Sequence, residues 1–374
     1  MKDRIPSLDG ARAVSISLVI AGHVLTWSSL PFLWRVHLGA LGVRTFFVIS
    51  GFIITTLLLD ELRSAGRINI KAFYVRRAAR ILPAYWLFLA IVVLLIPTGL
   101  VPAHYSDLPP AFAYFSNYDL PGRALSHTWS LSVEEQFYLL WPAALVLAGL
   151  VNARTVCFTL LIAAPAFRVL SDLGLWPGHH NFAFECVCDS LATGCLLAML
   201  RRQLWDAPGY PRLVASPTIL LLLATVIALM ALRPDGIASD LLTSFLNVAI
   251  ALTLDRYMRF PKSSVGRLLN SAPFVWVGVI SYGLYLWQQL FAFRQLPVVI
   301  QVGGPVAIAA FSYYLVEKPV RRWITNNWNQ RFGDRATGVL VEAQSEVPAA
   351  TAATTSTTAL SGHGRSRLAS VPRP

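Results

Sequence analysis

Apolar runs about 20 residues long recur along most of this chain, and each is long enough to cross the hydrocarbon of a bilayer as a helix. In that medium every backbone N–H and C=O must be satisfied within the segment, which leaves the α-helix as the form such a run takes. A window of about 19 residues finds about ten helices, with cores near residues 8–27, 38–59, 81–100, 129–151, 156–170, 182–200, 217–232, 240–254, 275–293 and 298–316. Composition agrees, since the 374 residues are 55% hydrophobic and only 13% charged, far from the balance of a soluble domain. The expected fold is all-α, a polytopic membrane helix bundle.

Basic residues set the expected sidedness, because loops rich in Lys and Arg stay in the cytoplasm. Arg63, Arg67, Lys71, Arg76, Arg77 and Arg80, then Arg154, then Arg201, Arg202 and Arg212, then Arg256, Arg259, Lys262 and Arg267 fall in alternate connections. The opposite connections hold only Arg35, Arg123, Arg233 and Arg294. Both termini are therefore expected in the cytoplasm, with Lys318, Arg321 and Arg322 on the same side. Lys2 and Arg4 before an apolar run outline a signal peptide, but no small-residue cleavage site follows, so an uncleaved first span is expected. Residues 1–325 read as an integral-membrane domain. Residues 326–374 read as a cytoplasmic tail, disordered from about 338, where TAATTSTTALSGHGRS has too little apolar surface to offset chain entropy.

The net charge of +12 fits this topology, and no stacking or groove-reading module accompanies it, which argues against nucleic acid. Cys157, Cys186, Cys188 and Cys195 lie in apolar segments without a second pair at zinc spacing, and His179 and His180 nearby do not complete a ligand set. No metal is expected. The outer connection 97–128 is rich in Pro, Tyr and Phe, suited either to anchoring at the membrane interface or to holding a sugar or polyprenyl acceptor.

Polar residues inside the apolar runs carry the functional signal. Arg12 and His23 are separated by about 1100° of helix rotation, some 20° past three full turns, so they share one face about 16 Å apart. Asp9 lies three residues before Arg12 and can pair with it. Snorkelling to the inner headgroups would account for Arg12, whereas His23 near mid-bilayer calls for a functional reason. In HTWSLSVEEQFYLLW, residues 127–141, Glu134 shares a face with Ser130 and Tyr138 at i, i+4 spacing and is preferred to Glu135 as the carboxylate that looks inward. The antiparallel run of spans one and four brings Glu134 to the depth of His23, where it could orient the imidazole. Arg77 and Arg80 stand at i, i+3 in KAFYVRRAARILPAYW. Topology alone would put basic residues there, and a forked guanidinium pair also suits a phosphorylated cofactor. Asp189, in FECVCDSLATGCLLAML, is either a substrate contact or a structural helix-to-helix bond.

These stretches resemble the membrane-bound acyltransferase type 3 family, integral-membrane O-acyltransferases of carbohydrates. The resemblance is carried by LDGARAVSISLVIAGH, GVRTFFVISGFII, FYVRRAARILPAYW, TWSLSVEEQFYLLWP, SYGLYLWQ and EKPVRR, in that order, and covers the chain up to about Arg322. It places the family's basic residue and histidine on Arg12 and His23, its R-x-x-R on Arg77 and Arg80, and its glutamate on Glu134. It implies an acyl-CoA donor, commonly acetyl-CoA, entering from the cytoplasm, with the acyl group passed to an acceptor hydroxyl. Two positions depart from the pattern: Gln288 stands where many members carry histidine, and Arg44 where an acidic residue is frequent. An appended esterase-like domain, which some members carry, is not expected here.

The expected activity is transfer of an acyl group, acetyl in the first instance, from acyl-CoA to a hydroxyl of a carbohydrate such as a surface or exopolysaccharide sugar. Arg77, Arg80, Arg12 and Asp9 are assigned to the donor, His23 and Glu134 to catalysis, and Ser130, Tyr138 and Asp189 to the acceptor. His23 acts either as general base or as a transient acyl carrier. The contrasting reading is a transporter or flippase in which His23 and Glu134 relay protons. The expected setting is the bacterial inner membrane, among lipid, with a homo-oligomer compatible with the sequence.

Overall fold

The computed structural model describes residues 5–24, 37–177, 182–232, 236–292 and 296–332, and every regular element among them is helical. The expected disordered tail, Arg35, Arg233, Arg294 and the His179–His180 pair lie outside the described residues. Five stretches are long and apolar enough to cross a membrane: Leu38–Ala65, Ile70–Thr98, Thr128–Asp172, Ile237–Arg259 and Val298–Trp328. Leu147, Val299, Val151 and Ile162 turn outward, 86%, 81%, 74% and 74% exposed, a density of bare apolar side chains that lipid, not water, would cover.

Helix α1, Leu8–Val24, is anchored at its start by Ser7, whose Oγ donates to the Tyr257 carbonyl and whose N–H donates to Asn270 Oδ1. Helix α2, Leu38–Ala65, ends where Gly66 takes a left-handed conformation and its N–H bonds the Leu62 carbonyl. Helix α3, Ile70–Leu95, starts well before the expected residue 81. Asn69 caps it by accepting from the Ala72 N–H at 3.0 Å, and Glu61 accepts from the Asn69 N–H while pairing with Arg76 at 3.0 Å. Arg76, Arg77 and Arg80 therefore stand on a formed helix rather than in a loop.

The connection 97–128 folds through two short 3₁₀ turns, Ile96–Thr98 and Tyr105–Asp107, and helix α4, Leu108–Phe112. Its Tyr114 stacks on Tyr85 with ring centroids 4.6 Å apart, so at least this aromatic is packed into the bundle. Helix α5, Thr128–Asp172, has 45 residues and is interrupted by Gly149 at φ 69°, ψ 171°, so the break falls inside the expected run 129–151 and not in the gap before 156–170. Helices α6, Phe184–Asp206, α7, Tyr210–Ala215, α8, Thr218–Leu232, and α9, Ile237–Arg259, follow.

Past α10, Ser264–Leu269, the expected unbroken span 275–293 is two helices, α11, Ala272–Val279, and α12, Ser281–Ala292, parted at Ile280. Gly278 near the break lies so close to the Asp9 carbonyl that a methyl there would collide with it. Helix α13, Val298–Ser312, passes through a π turn, Tyr313–Glu317, into α14, Lys318–Phe332.

Gly51 of α2 and Gly194 of α6 let those two helices touch backbone to backbone: a Cβ on Gly51 would meet the Leu191 carbonyl, and one on Gly194 the Val48 carbonyl. Small residues at such a crossing supply the van der Waals contact that holds helices together in lipid. Gly51→Val should cost ~1–3 kcal/mol of stability by overpacking and lower the unfolding temperature in detergent. Gly39→Ala, where an added Cβ meets nothing within 4 Å, should leave it unchanged.

Candidate active site

Helices α1, α2, α3, α5 and α12 enclose a cleft of about 620 Å³ counting its open mouth, lined by Arg12, Arg77, Arg80, Ser50, Ser130, Glu134, Tyr138, Tyr282 and Tyr285 among others. Arg12 pairs with Asp9 at 3.7 Å, as the three-residue spacing predicts. Arg77 lies over the Tyr138 ring, its guanidinium carbon 4.1 Å from the centroid, and its buried Nε has no hydrogen-bond partner. Tyr138 donates to Ser50 Oγ at 3.0 Å, and Ser50 donates to Glu134 Oε1 at 2.7 Å. The expected shared face of Ser130, Glu134 and Tyr138 is thus one wall of the cleft.

A smaller cleft adjoins the first through Arg12, Arg80 and Tyr282 and adds Asp9, Tyr313, Glu317 and Arg321. The π turn inserts an extra residue per turn just before α14, and Glu317 at its end accepts from Ser312 Oγ at 3.1 Å. Arg12, Arg77 and Arg321 are all close enough for their charges to act on Arg80. Four cations crowd around Asp9, Glu134 and Glu317, an arrangement that favours an anionic guest. Glu317 and Arg321 were given no role from the sequence. Their signal was the EKPVRR stretch itself, whose π turn has no reading in helical periodicity.

His23 stands beyond this cleft. The expected contact between His23 and Glu134 is corrected by the structure: the side-chain partner of His23 is Gln288, whereas Glu134 is held by Ser50 and Tyr138, with the charges of Arg77 and Arg12 nearby. Similar depth does not fix rotation about the helix axis, and Glu134 is turned toward the arginines. Gln288 donates to Gln289 Oε1, and Gln289 donates to the Arg123 carbonyl and Ser126 Oγ, so a line of amides runs from the imidazole to the connection 97–128. An amide at position 288 orients the ring but exchanges no proton. On the wall of the arginine cleft Ser130 Oγ and Tyr285 Oη are joined by a short bond, 2.5 Å. Both hydroxyls also sit 3.2 Å from the His127 carbonyl.

Asp189 is not part of this site. It pairs with Arg168 at 3.0 Å, accepts from Ser244 Oγ at 2.7 Å and lies 3.8 Å from Arg44. Of the two readings the sequence left open, the structural one describes its surroundings. Arg44, unusual against the family pattern, supplies part of the positive charge that balances this buried carboxylate. The four cysteines are buried and unpaired, and among the described residues no group of three or more His, Cys, Asp or Glu is placed to hold a metal.

The chain is thus a helical bundle with five helices long and apolar enough to cross a membrane and an arginine-lined cleft whose charge suits an anionic ligand. Residues 5–359 match a family profile described as an acyltransferase domain, and the chain belongs to the acyltransferase 3 family. It is 27% identical to the peptidoglycan O-acetyltransferase OatA of Listeria monocytogenes, over 88% of this chain and 58% of that protein. It is 29% identical to the putative peptidoglycan O-acetyltransferase YrhL of Bacillus subtilis, over 85% and 55%, and 28% identical to a putative O-acetyltransferase of Staphylococcus aureus, over 85% and 57%. The chain thus spans little more than half the length of these relatives. No solved structure matches it significantly.

The positions of Arg12, on the cleft wall, and His23, outside the cleft lining and beside Gln288, assign them separable effects. Arg12→Ala should weaken CoA binding to the purified chain at least about tenfold, the loss of one charge-assisted contact. His23→Ala should leave that affinity within about twofold; equal losses in isothermal titration would contradict the division.

Proposed function

We propose that this chain is a bacterial inner-membrane O-acyltransferase that takes an acyl group, acetyl in the first instance, from acyl-CoA and delivers it to a hydroxyl of a cell-surface carbohydrate. The single observation that carries the reading is the arginine cleft, with Arg12 on its wall and His23 further along the same helix, in a chain of the acyltransferase 3 family. Arg77, Arg80, Arg12 and Arg321 match the three anionic phosphate centres of CoA in charge, and bidentate guanidinium contacts suit them. Ten crossings with both termini in the cytoplasm would open the cleft mouth to cytoplasmic CoA. The relatives' names make peptidoglycan a candidate acceptor, and another surface glycan meets the same chemistry.

In this reading the pantetheine arm carries the thioester past the Ser130–Tyr285 bond to His23. By the direct route, His23 takes the proton of the acceptor hydroxyl as its oxygen attacks the thioester carbonyl. The C–S bond then breaks, and the CoA thiolate recovers that proton. By the covalent route the imidazole nitrogen accepts the acyl group first and passes it to the hydroxyl. Glu134 holds Arg77 and Tyr138 in place through Ser50, and so acts on the donor side. A proton relay without chemistry would need His23 and Glu134 to share a proton, and their different partners leave acyl transfer the better-supported reading.

Membrane vesicles containing the chain, given radiolabelled acetyl-CoA, should incorporate ester-linked label into carbohydrate above vesicles lacking it. Arg80→Ala should raise the KM for acetyl-CoA about ten- to a hundredfold, the range for losing one or two charge-assisted hydrogen bonds. Label at the level of the control vesicles would overturn the proposal.

A further inference from the structure

Burial leaves few polar atoms unmatched in a native core, so several in one place call for an account. His127 is 4% exposed, and neither of its ring nitrogens makes a well-formed hydrogen bond, the Leu286 backbone being its one weak partner. Trp287 is 2% exposed, and its Nε1–H has no hydrogen-bond partner. The two rings share a neighbour: each meets Phe88 edge to face, at centroid separations of 5.5 and 5.4 Å. His127 also lies 5.6 Å from the Tyr285 ring, and it is close enough to His23 for the two imidazoles to act on each other's charge. Trp287 directly precedes Gln288, the amide that holds His23.

The positions of these groups are fixed. The His127 carbonyl is within hydrogen-bond distance of both Ser130 Oγ and Tyr285 Oη, at the N-terminal end of α5, which pins the residue where the arginine cleft meets the His23 region. Between Phe88 and Tyr285 the imidazole is shut off from water, which disfavours its charged form. A neutral imidazole offers one N–H and one lone pair, and the indole offers an N–H alone. Two buried N–H donors without a well-formed hydrogen bond, one on a ring within reach of His23's charge and the other next in sequence to its amide partner, match an oxygen that gains negative charge during reaction.

We propose that His127 and Trp287 donate hydrogen bonds to the carbonyl oxygen of the acyl group as it is transferred at His23, forming an oxyanion site. The inference rests on the acyltransferase reading above. As the acceptor oxygen, or the His23 nitrogen on the covalent route, bonds to the carbonyl carbon, the C=O π pair moves onto oxygen. The two N–H groups meet that charge. The pair then returns, the C–S bond breaks, and the thiolate takes up the proton released from the attacking hydroxyl or, on the covalent route, one from solvent. The acceptor-side nitrogen of His127 remains available to an acceptor hydroxyl. Donors fixed in a dry site need no reorganisation as the charge develops, and each contributes about a hundred- to a thousandfold in rate in comparable sites.

Trp287→Phe keeps an aromatic ring on Phe88 and removes only the indole donor, whereas His127→Ala and His127→Gln delete and partly restore a donor at the other position. With membrane vesicles supplying the native acceptor and acetyl-CoA as donor, the rate of CoA thiol release is the readout. Trp287→Phe should lower turnover at least about thirtyfold with the KM for acetyl-CoA within twofold of wild type. His127→Ala should lose about a hundredfold, and His127→Gln should regain at least tenfold over it. Wild-type turnover in Trp287→Phe, a His127→Gln no faster than His127→Ala, or a loss that appears in KM would overturn the assignment while the acyltransferase reading stood. If the wild-type vesicles released CoA no faster than vesicles lacking the chain, that reading would fall and this one with it. Should His127→Ala not accumulate in the membrane, the Trp287→Phe turnover decides alone.

Discussion

Like charges held together inside a bundle organise this molecule. Arg80 is within range of the guanidinium charges of Arg12, Arg77 and Arg321, and in a medium less polar than water their mutual repulsion is strong. Asp9, Glu134 and Glu317 interleave with them and offset part of it. The helix ends and turns nearby serve that arrangement: Asn69 and Glu61 fix the start of α3, which carries two of the arginines, and the π turn brings Glu317 to the second cleft. The close pass of Gly278 over Asp9 seats α1, and with it Arg12, against α11.

Along α1 the polar residues divide by level. Arg12 belongs to the cationic cleft, whereas His23 meets the Gln288 carboxamide and lies within reach of His127. The Ser130–Tyr285 bond stands on the cleft wall, with the His127 backbone as its support. In the proposed reaction a charged site for the donor and a separate site for acyl transfer have different solvation needs, which two levels of one helix can meet. The buried Arg168–Asp189–Arg44 cluster, by contrast, has its two cations faced by Asp189 and the nearby Asp240 and serves to join α5, α6 and α2.

Much of this was legible in the sequence where local periodicity governs. The Asp9–Arg12 pair and the common face of Ser130, Glu134 and Tyr138 follow from three- and four-residue spacing, whereas the break at Gly149 falls inside the expected run 129–151. What periodicity does not contain is rotation between helices, and so Glu134 was expected against His23 when it faces Arg77 through Ser50. Helix α3 begins earlier than hydropathy indicates because its first turns are basic, and a cap rather than apolar content starts it. His127 and Trp287 lay within quoted motifs, but an unmatched ring nitrogen is visible only once the neighbours are known.

The central claim is that the guanidinium cleft holds the phosphates of CoA, and direct chemical protection tests it. Arginine-selective modification by phenylglyoxal, mapped by mass spectrometry on the purified chain, should be slowed at Arg80 and Arg321 by CoA and not by pantetheine, which lacks the nucleotide and its phosphates. Exposed Arg63 serves as the unprotected reference. Equal modification of Arg80 and Arg321 with and without CoA would contradict the account.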